Sequence, residues 1–199
     1  MATNINISKI PCIVAGLQSE TERWRKIDDW TSRNAFENIV KVYATKDDKF
    51  RTVKMYTEYI EKLKMMTSFP SILLENDATP TSNFSCDLSV PNNTDIVYLG
   101  LSQLGAHEVD FVNIPVEYLP YNEEYIIPTN MLGAHAIMFM NSKGRDRFVA
   151  ILEDDNIDNS LAFDIHFARV MPIDRCLALS TPLFYQDDGH NNACTDITL

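Results

Sequence analysis

Residues 71–77 read Ser-Ile-Leu-Leu-Glu-Asn-Asp. The run Ser71 to Leu74 is short and apolar, which predicts a buried strand. It passes directly into Glu75-Asn76-Asp77. Acidic residues at the carboxyl end of a buried strand stand where open α/β sheets bind their ligands. Two acids one residue apart can share a hard divalent cation, since Mg²⁺ or Mn²⁺ takes carboxylate oxygens and keeps positions open for phosphate oxygens. The competing reading is an ordinary acidic loop after a strand.

The flanking sequence sets this strand in an alternating pattern. Upstream, Ile10 to Ala15 is apolar and β-branched and is followed by Gly16, which predicts a first buried strand. Ser19 to Glu22 has the spacing of a capping box, which predicts a helix with Trp24, Ile27 and Thr31 on its inner face. Ile39 to Ala44 predicts a second strand, ending in the polar turn 45–48. Val53, Tyr56, Ile60 and Leu63 recur at spacings of three and four, which predicts a helix ending before Phe69-Pro70.

Downstream, residues 78–94 are rich in Ser, Thr, Asn and Pro and read as loop. Asp95 to Gly100 predicts a strand, and so do Met131 to Met140 and Cys176 to Ser180. Ser142 to Gly144 reads as a turn before a short helix at Arg145 to Leu152. Leu161, Ile165 and Ala168 mark a further helix. Strand and helix alternate through the first half. That order predicts an α/β domain built on a central, mostly parallel sheet flanked by helices. The expectation is a single domain over 1–199, standing alone or as one domain of a longer protein.

Composition excludes several functions. The chain has 17 basic and 28 acidic residues, a net charge of -11, and its basic residues are scattered among acids. That is unsuited to general nucleic-acid binding, which needs clustered Lys and Arg. No run of 18 apolar residues exists, so no membrane span is expected. Met1 to Lys9 does not read as a secretory signal. The four cysteines (Cys12, Cys86, Cys176, Cys194) fit no zinc spacing and read as free thiols. The expected location is the cytoplasm. No Walker loop, G-x-G-x-x-G fingerprint or G-x-S-x-G elbow occurs.

Three further groups of residues are candidates for chemistry. Gly133-Ala134-His135 opens an apolar run; Gly133 permits close backbone approach to a ligand, while His135 within such a run reads as a core histidine before a catalytic one. Asp154, Asp155, Asp158 and Asp164 could supply a general base, although Asp158 before Ser160 also suits a helix cap. His190, beside Asp187 and Asp188, offers a metal-ligating imidazole in a polar tail.

Taken in order, several segments resemble glycosyltransferases of the GT-A fold, most of all the family 25 (lipooligosaccharide-type) transferases and the glycosyltransferase domains of large algal DNA viruses. They are the helix 54–66 running into SILLENDA, DIVYLG at 95–100, GAHAIMFMNSKGRDRFV at 133–149, NIDNSLAFD at 156–164 and LFYQDDGHN at 183–191. The chain departs from the family in having Glu75-Asn76-Asp77 where Glu-Asp-Asp or Asp-x-Asp is usual, and in lacking a Ser-His pair near the start of the helix.

The resemblance implies a metal-dependent transferase, with a UDP-sugar as donor and a glycan or glycoprotein as acceptor, a viral capsid glycan included; the location would then be the host cytoplasm. It places nucleotide-sugar binding in the N-terminal half and acceptor binding in the C-terminal half. Ala15, Gly16, Leu17, Thr45, Asp47, Arg51, Asn76, Gly133 and His135 would contact the donor. Glu75, Asp77 and His190 would hold Mn²⁺ or Mg²⁺, and Asp158 would act as base. The tyrosines of 118–125 could stack on sugar rings. Two rivals are a GT-A-like binding module without turnover and a nucleotidyltransferase. For the latter the sequence lacks the expected Gly-rich, Arg/Lys-bearing loop.

Overall fold

The computed structural model describes residues 1–44, 53–106, 113–154, 161 and 163–187. A polar N-terminal strand, β1 (Ala2–Asn6), precedes the first buried one, β2 (Cys12–Leu17). Helix α1 (Thr21–Arg33) follows, then β3 (Ile39–Ala44), α2 (Val53–Lys64) and β4 (Ser71–Glu75). The capping-box spacing is not used: α1 is capped at Glu20, and no side chain bonds the cap. Trp24, Ile27 and Thr31 are buried on its inner face, as their spacing requires, and Trp30 joins them.

Residues 78–94 hold two strands rather than loop alone, β5 (Ala78–Pro80) and β6 (Asp87–Pro91). Both pair with distant segments, β6 with β1 and β5 with the last strand of the described chain. Neither partner could be read from local composition. Next come β7 (Ile96–Tyr98), β8 (Leu104–Ala106), β9 (Asn113–Pro115), β10 (Glu117–Pro120), β11 (Tyr125–Asn130) and β12 (Ala136–Phe139). Helix α3 (Ser142–Leu152) absorbs the expected turn, because Asn141 caps it by accepting the Gly144 amide at 3.1 Å. Helix α4 (Phe163–Val170), β13 (Cys176–Leu179) and β14 (Phe184–Gln186) complete the order.

Eight strands form the main sheet, in the order β10-β11-β13-β7-β12-β4-β2-β3. It is mixed. The pairings of β2 with β3 and β4, and of β7 with β13, are parallel; the other four are antiparallel. The expected parallel sheet therefore describes the N-terminal half, where helices carry the chain back across the sheet. In the second half β12 enters from the opposite direction between β4 and β7.

The central strands β2, β4, β7, β12 and β13 are buried on both faces, which is why they read as continuous apolar runs, while the edge strands β3 and β10 are partly exposed. Side chains alternate between two cores with the period of a strand. Ile13, Ala15, Leu73 and Ile137 face α2, α3 and α4. Val14, Ile72, Leu74 and Met138 face α1 and the β1–β6 pair. Among the described residues no helix is long and apolar enough to cross a membrane.

The antiparallel entry of β12 positions the site. A strand that runs against its neighbour starts where that neighbour ends. Gly133 to His135, which lead into β12, therefore meet the carboxyl end of β4, where the Glu75 amide donates to the His135 carbonyl at 2.9 Å. Tyr98 to Gly100 reach the same edge, since β7 runs antiparallel to β12. The chain then returns along this edge, with Phe184 bridging Gly100 and β14 pairing with β5.

Candidate functional site

A cleft of about 140 Å³ opens at the carboxyl ends of β2 and β4. It is lined by Ala15, Gly16 and Leu17 of β2, by Glu20 and Arg23 at the start of α1, by Tyr59 of α2, and by Glu75, Asn76 and Asp77. The two parallel strands place these groups. Asn76 stays in register with β2, its amide donating to the Ala15 carbonyl at 2.8 Å. Its side chain lies over Gly16, where a Cβ would come within 2.1 Å of Asn76 Cγ. Gly16 is thus required by Asn76 itself. Asn76 Nδ2 in turn donates to Glu20 Oε2 at 3.0 Å. Asn76 is therefore a tie between β4 and the start of α1.

Those carboxylates are Glu75 and Asp77. Gln186 Nε2 lies 3.4 Å from both Glu75 Oε2 and Asp77 Oδ2 and bridges them. Arg23 Nη1 lies 3.3 Å from Asp77 Oδ2 and 3.0 Å from Glu20 Oε1. Asp77 is 8% exposed, and its other oxygen, Oδ1, is buried with no hydrogen-bond partner. A buried carboxylate oxygen left unpaired is costly, and the usual remedies are a proton, a water or a cation. The tail is fastened over the pair by the Asp187 amide, which donates to the Asp77 carbonyl at 2.9 Å, and by the Lys26–Asp187 ion pair at 2.5 Å.

The electrostatics follow from this crowding. Burial, then the Asp77 and Asp164 carboxylates, push Glu75 well above the usual carboxylate range. Burial raises Asp77 as well, with Arg23 and Gln186 pulling it partly back. Asp164 is raised by burial, although it accepts the Gly133 amide at 3.1 Å. Gly133 stands at φ +98°, a conformation that glycine adopts without strain. The cleft therefore concentrates carboxylates that oppose one another, with Arg23 the one cation among its described lining residues.

An oxygen-only set of this kind suits a hard divalent cation better than a soft one. Glu75 and Asp77 would hold it, and the orphaned Asp77 Oδ1 supplies an acceptor without a competing donor. Among the described residues no group of three or more His, Cys, Asp or Glu comes together at metal-binding distance.

His135 sits just behind the pair and is 1% exposed. Its Nε2 lies 3.4 Å from the Phe184 carbonyl, which can only accept, so the ring proton belongs on Nε2. That leaves Nδ1 a bare acceptor, buried without a partner. Burial lowers the ring pKa to about 4, so it is neutral near pH 7. A Cβ at Gly100 would come within 2.0 Å of Nε2, so the ring fills the space beside that glycine.

Of the residues expected from sequence, Ala15, Gly16, Leu17, Glu75, Asn76 and Asp77 line one cleft, and Gly133 and His135 lie behind it. Thr45, Asp47, Arg51, Asp158 and His190 lie outside the described residues. Asp95, part of the expected DIVYLG strand, is at the far end of β7. There it is buried, accepts from Asn141 at 2.8 Å and pairs with Arg147 and Arg175, which makes it a structural anchor. Glu20, Arg23 and Gln186 were not expected. Glu20 and Arg23 are one turn apart at the start of α1, a spacing visible in sequence. Gln186 had no local signal at all.

No protein-family model matches the chain, and no curated protein matches it. Among solved structures it is similar to an inositol-1-phosphate CTP transferase from T. maritima, at 12% identity and a TM-score of 0.48, over 86% of this chain and 85% of that one.

Proposed function

We propose that this chain is a nucleotide-dependent transferase. The cleft between β2 and β4 takes the phosphates of a nucleotide donor, and Glu75 and Asp77 hold Mn²⁺ or Mg²⁺. One observation carries the reading: a buried carboxylate oxygen, Asp77 Oδ1, lacks any partner beside a second carboxylate at the carboxyl ends of two parallel strands. When bound, the cation would neutralise charge developing on the leaving phosphate group. Ala15, Gly16 and Leu17 line this cleft, with the Asn76 side chain packed over Gly16. Asn76 holds the two carboxylates in register by tying β4 to α1.

Two forms of transfer fit this site. Arg23 favours nucleotidyl transfer, because it brings a guanidinium into the cleft just after the first core strand, where the sequence alone offered no phosphate-binding loop. The resemblance noted above favours glycosyl transfer from a UDP-sugar to a glycan or glycoprotein acceptor. In both, the nucleotide diphosphate portion and the cation occupy the same carboxylate edge.

The test is a thermal-shift panel of CTP, UTP, UDP and UDP-sugars with and without Mn²⁺, followed by product analysis. A ligand at 100 times its dissociation constant adds about 2.7 kcal/mol to native stability. Asp77→Asn is expected to lose the Mn²⁺-dependent shift while keeping its fold. Pyrophosphate release from a triphosphate identifies nucleotidyl transfer; nucleoside diphosphate release from a sugar donor identifies glycosyl transfer. Mn²⁺-dependent binding without either product identifies a binding module, and no shift with any nucleotide refutes the reading.

A further inference from the structure

Arg23 occupies an unusual position in this cleft. It is the one cation among the described lining residues, yet it points at the carboxylate best placed to receive a divalent ion. Both of its ion pairs use Nη1, at 3.0 Å to Glu20 and 3.3 Å to Asp77. The other two guanidinium nitrogens are left for a ligand. Its side chain is 32% exposed, so it can move without unpacking the core. Lys26, three residues on, is engaged with Asp187.

We infer that Arg23 is a resident counter-ion of Asp77, and that it leaves Asp77 for the phosphate oxygens of the nucleotide when the acidic pair takes a divalent cation. The inference rests on the nucleotide-binding reading above. Three observations motivate it. A guanidinium and a divalent cation on one carboxylate repel each other across a few ångströms of partly desolvated space, where charge interactions are strong. Asp77 Oδ1 is buried without a partner, and of the two partners at Oδ2, Arg23 at 3.3 Å and Gln186 Nε2 at 3.4 Å, Arg23 is the charged one that a divalent cation opposes. Glu20 stands as the pivot: it holds the same Nη1 at the shorter distance and keeps Arg23 at the mouth of the cleft as Asp77 releases it. The planar fork then suits paired phosphate oxygens, which a single ammonium matches less well. Arg23 thus screens the empty acidic pair and becomes an anion-binding group only when the cation is present, so cation and nucleotide bind in favour of each other.

The inference is tested by calorimetric titration of wild type, Arg23→Gln and Arg23→Lys, first with Mn²⁺ alone and then with UDP or CDP at saturating Mn²⁺. Arg23→Gln is expected to bind Mn²⁺ about two- to fivefold more tightly, the range for losing a partly exposed charge. It is expected to bind the nucleotide about tenfold or more weakly, as loss of a charge-assisted contact requires. Arg23→Lys keeps the charge and loses the fork. It should bind Mn²⁺ like wild type and the nucleotide less tightly, so it tests the idea even if Arg23→Gln folds poorly. Unchanged or weaker Mn²⁺ binding by Arg23→Gln overturns the counter-ion role. Unchanged nucleotide binding by both variants overturns the transfer of Arg23 to phosphate. If neither wild type nor any variant binds Mn²⁺ or nucleotide, the nucleotide reading itself fails and the inference falls with it.

Discussion

Acidification should destabilise this protein through His135. The ring is 1% exposed, and burial lowers its pKa from 6.5 to about 4. The native state therefore holds the ring neutral at pH values where the unfolded chain protonates it. A pKa depressed on folding gives a contribution that is complete above the unfolded value and lost as pH falls toward the folded one. The window is pH 6.5 down to about 4. Across the whole window the loss is about 3 kcal/mol, and between pH 7 and pH 5 it is about 2 kcal/mol.

Glu75, Asp77 and Asp164 act in the other direction. Their folded pKa values are raised, so the penalty for burying them relaxes as pH falls. Comparison with His135→Gln removes most of that background. Glutamine keeps an N–H donor for the Phe184 carbonyl and does not titrate, while the carboxylates are common to both chains. The assay is urea unfolding of the two proteins at pH 7, 6 and 5. Wild type should be the more stable at pH 7, and its advantage should shrink by about 2 kcal/mol at pH 5. A stability difference that stays constant over this range would refute the argument, because His135 would then be no harder to protonate in the native state than in the unfolded one.

Gly16→Ala would place a Cβ within 2.1 Å of Asn76 Cγ, so Asn76 must leave Glu20; the expected loss is about 1–3 kcal/mol by chemical denaturation, together with weaker Mn²⁺-dependent nucleotide binding. Asp95→Ala leaves Arg147, Arg175 and Asn141 without their shared buried acceptor. It should cost about 2–4 kcal/mol in the same assay and leave nucleotide affinity unchanged in the folded protein, since Asp95 is at the opposite end of β7 from the cleft. Burial raises the Cys12 thiol to about 12 and pushes Cys176 higher still, so neither should take up iodoacetamide at pH 8 until the protein is unfolded, as peptide mass mapping can show.

Local sequence determined the elements that bury themselves by their own pattern. Ile39 to Ala44 is a strand with the bounds read from sequence, Ser71 to Leu74 is a strand buried on both sides, and Trp24, Ile27 and Thr31 form the inner face of α1. Apolar run length and helical spacing are properties of neighbouring residues, so they survive without knowledge of the fold. The same holds for Glu75 and Asp77, whose place at a strand end follows from the run before them. Partners distant along the chain were decided only by tertiary structure. The strands within 78–94 exist because β1 and β14 pair with them, across 89 residues between Ala2 and Pro91 and 104 between Pro80 and Phe184. The direction of β12 makes the sheet mixed and sets His135 behind Glu75. The return of the tail brings Gln186 between two carboxylates more than a hundred residues away. A side chain's neighbours along the chain do not encode such meetings, because the hydrogen bonds and charges that reward them exist only once the sheet has closed the distance.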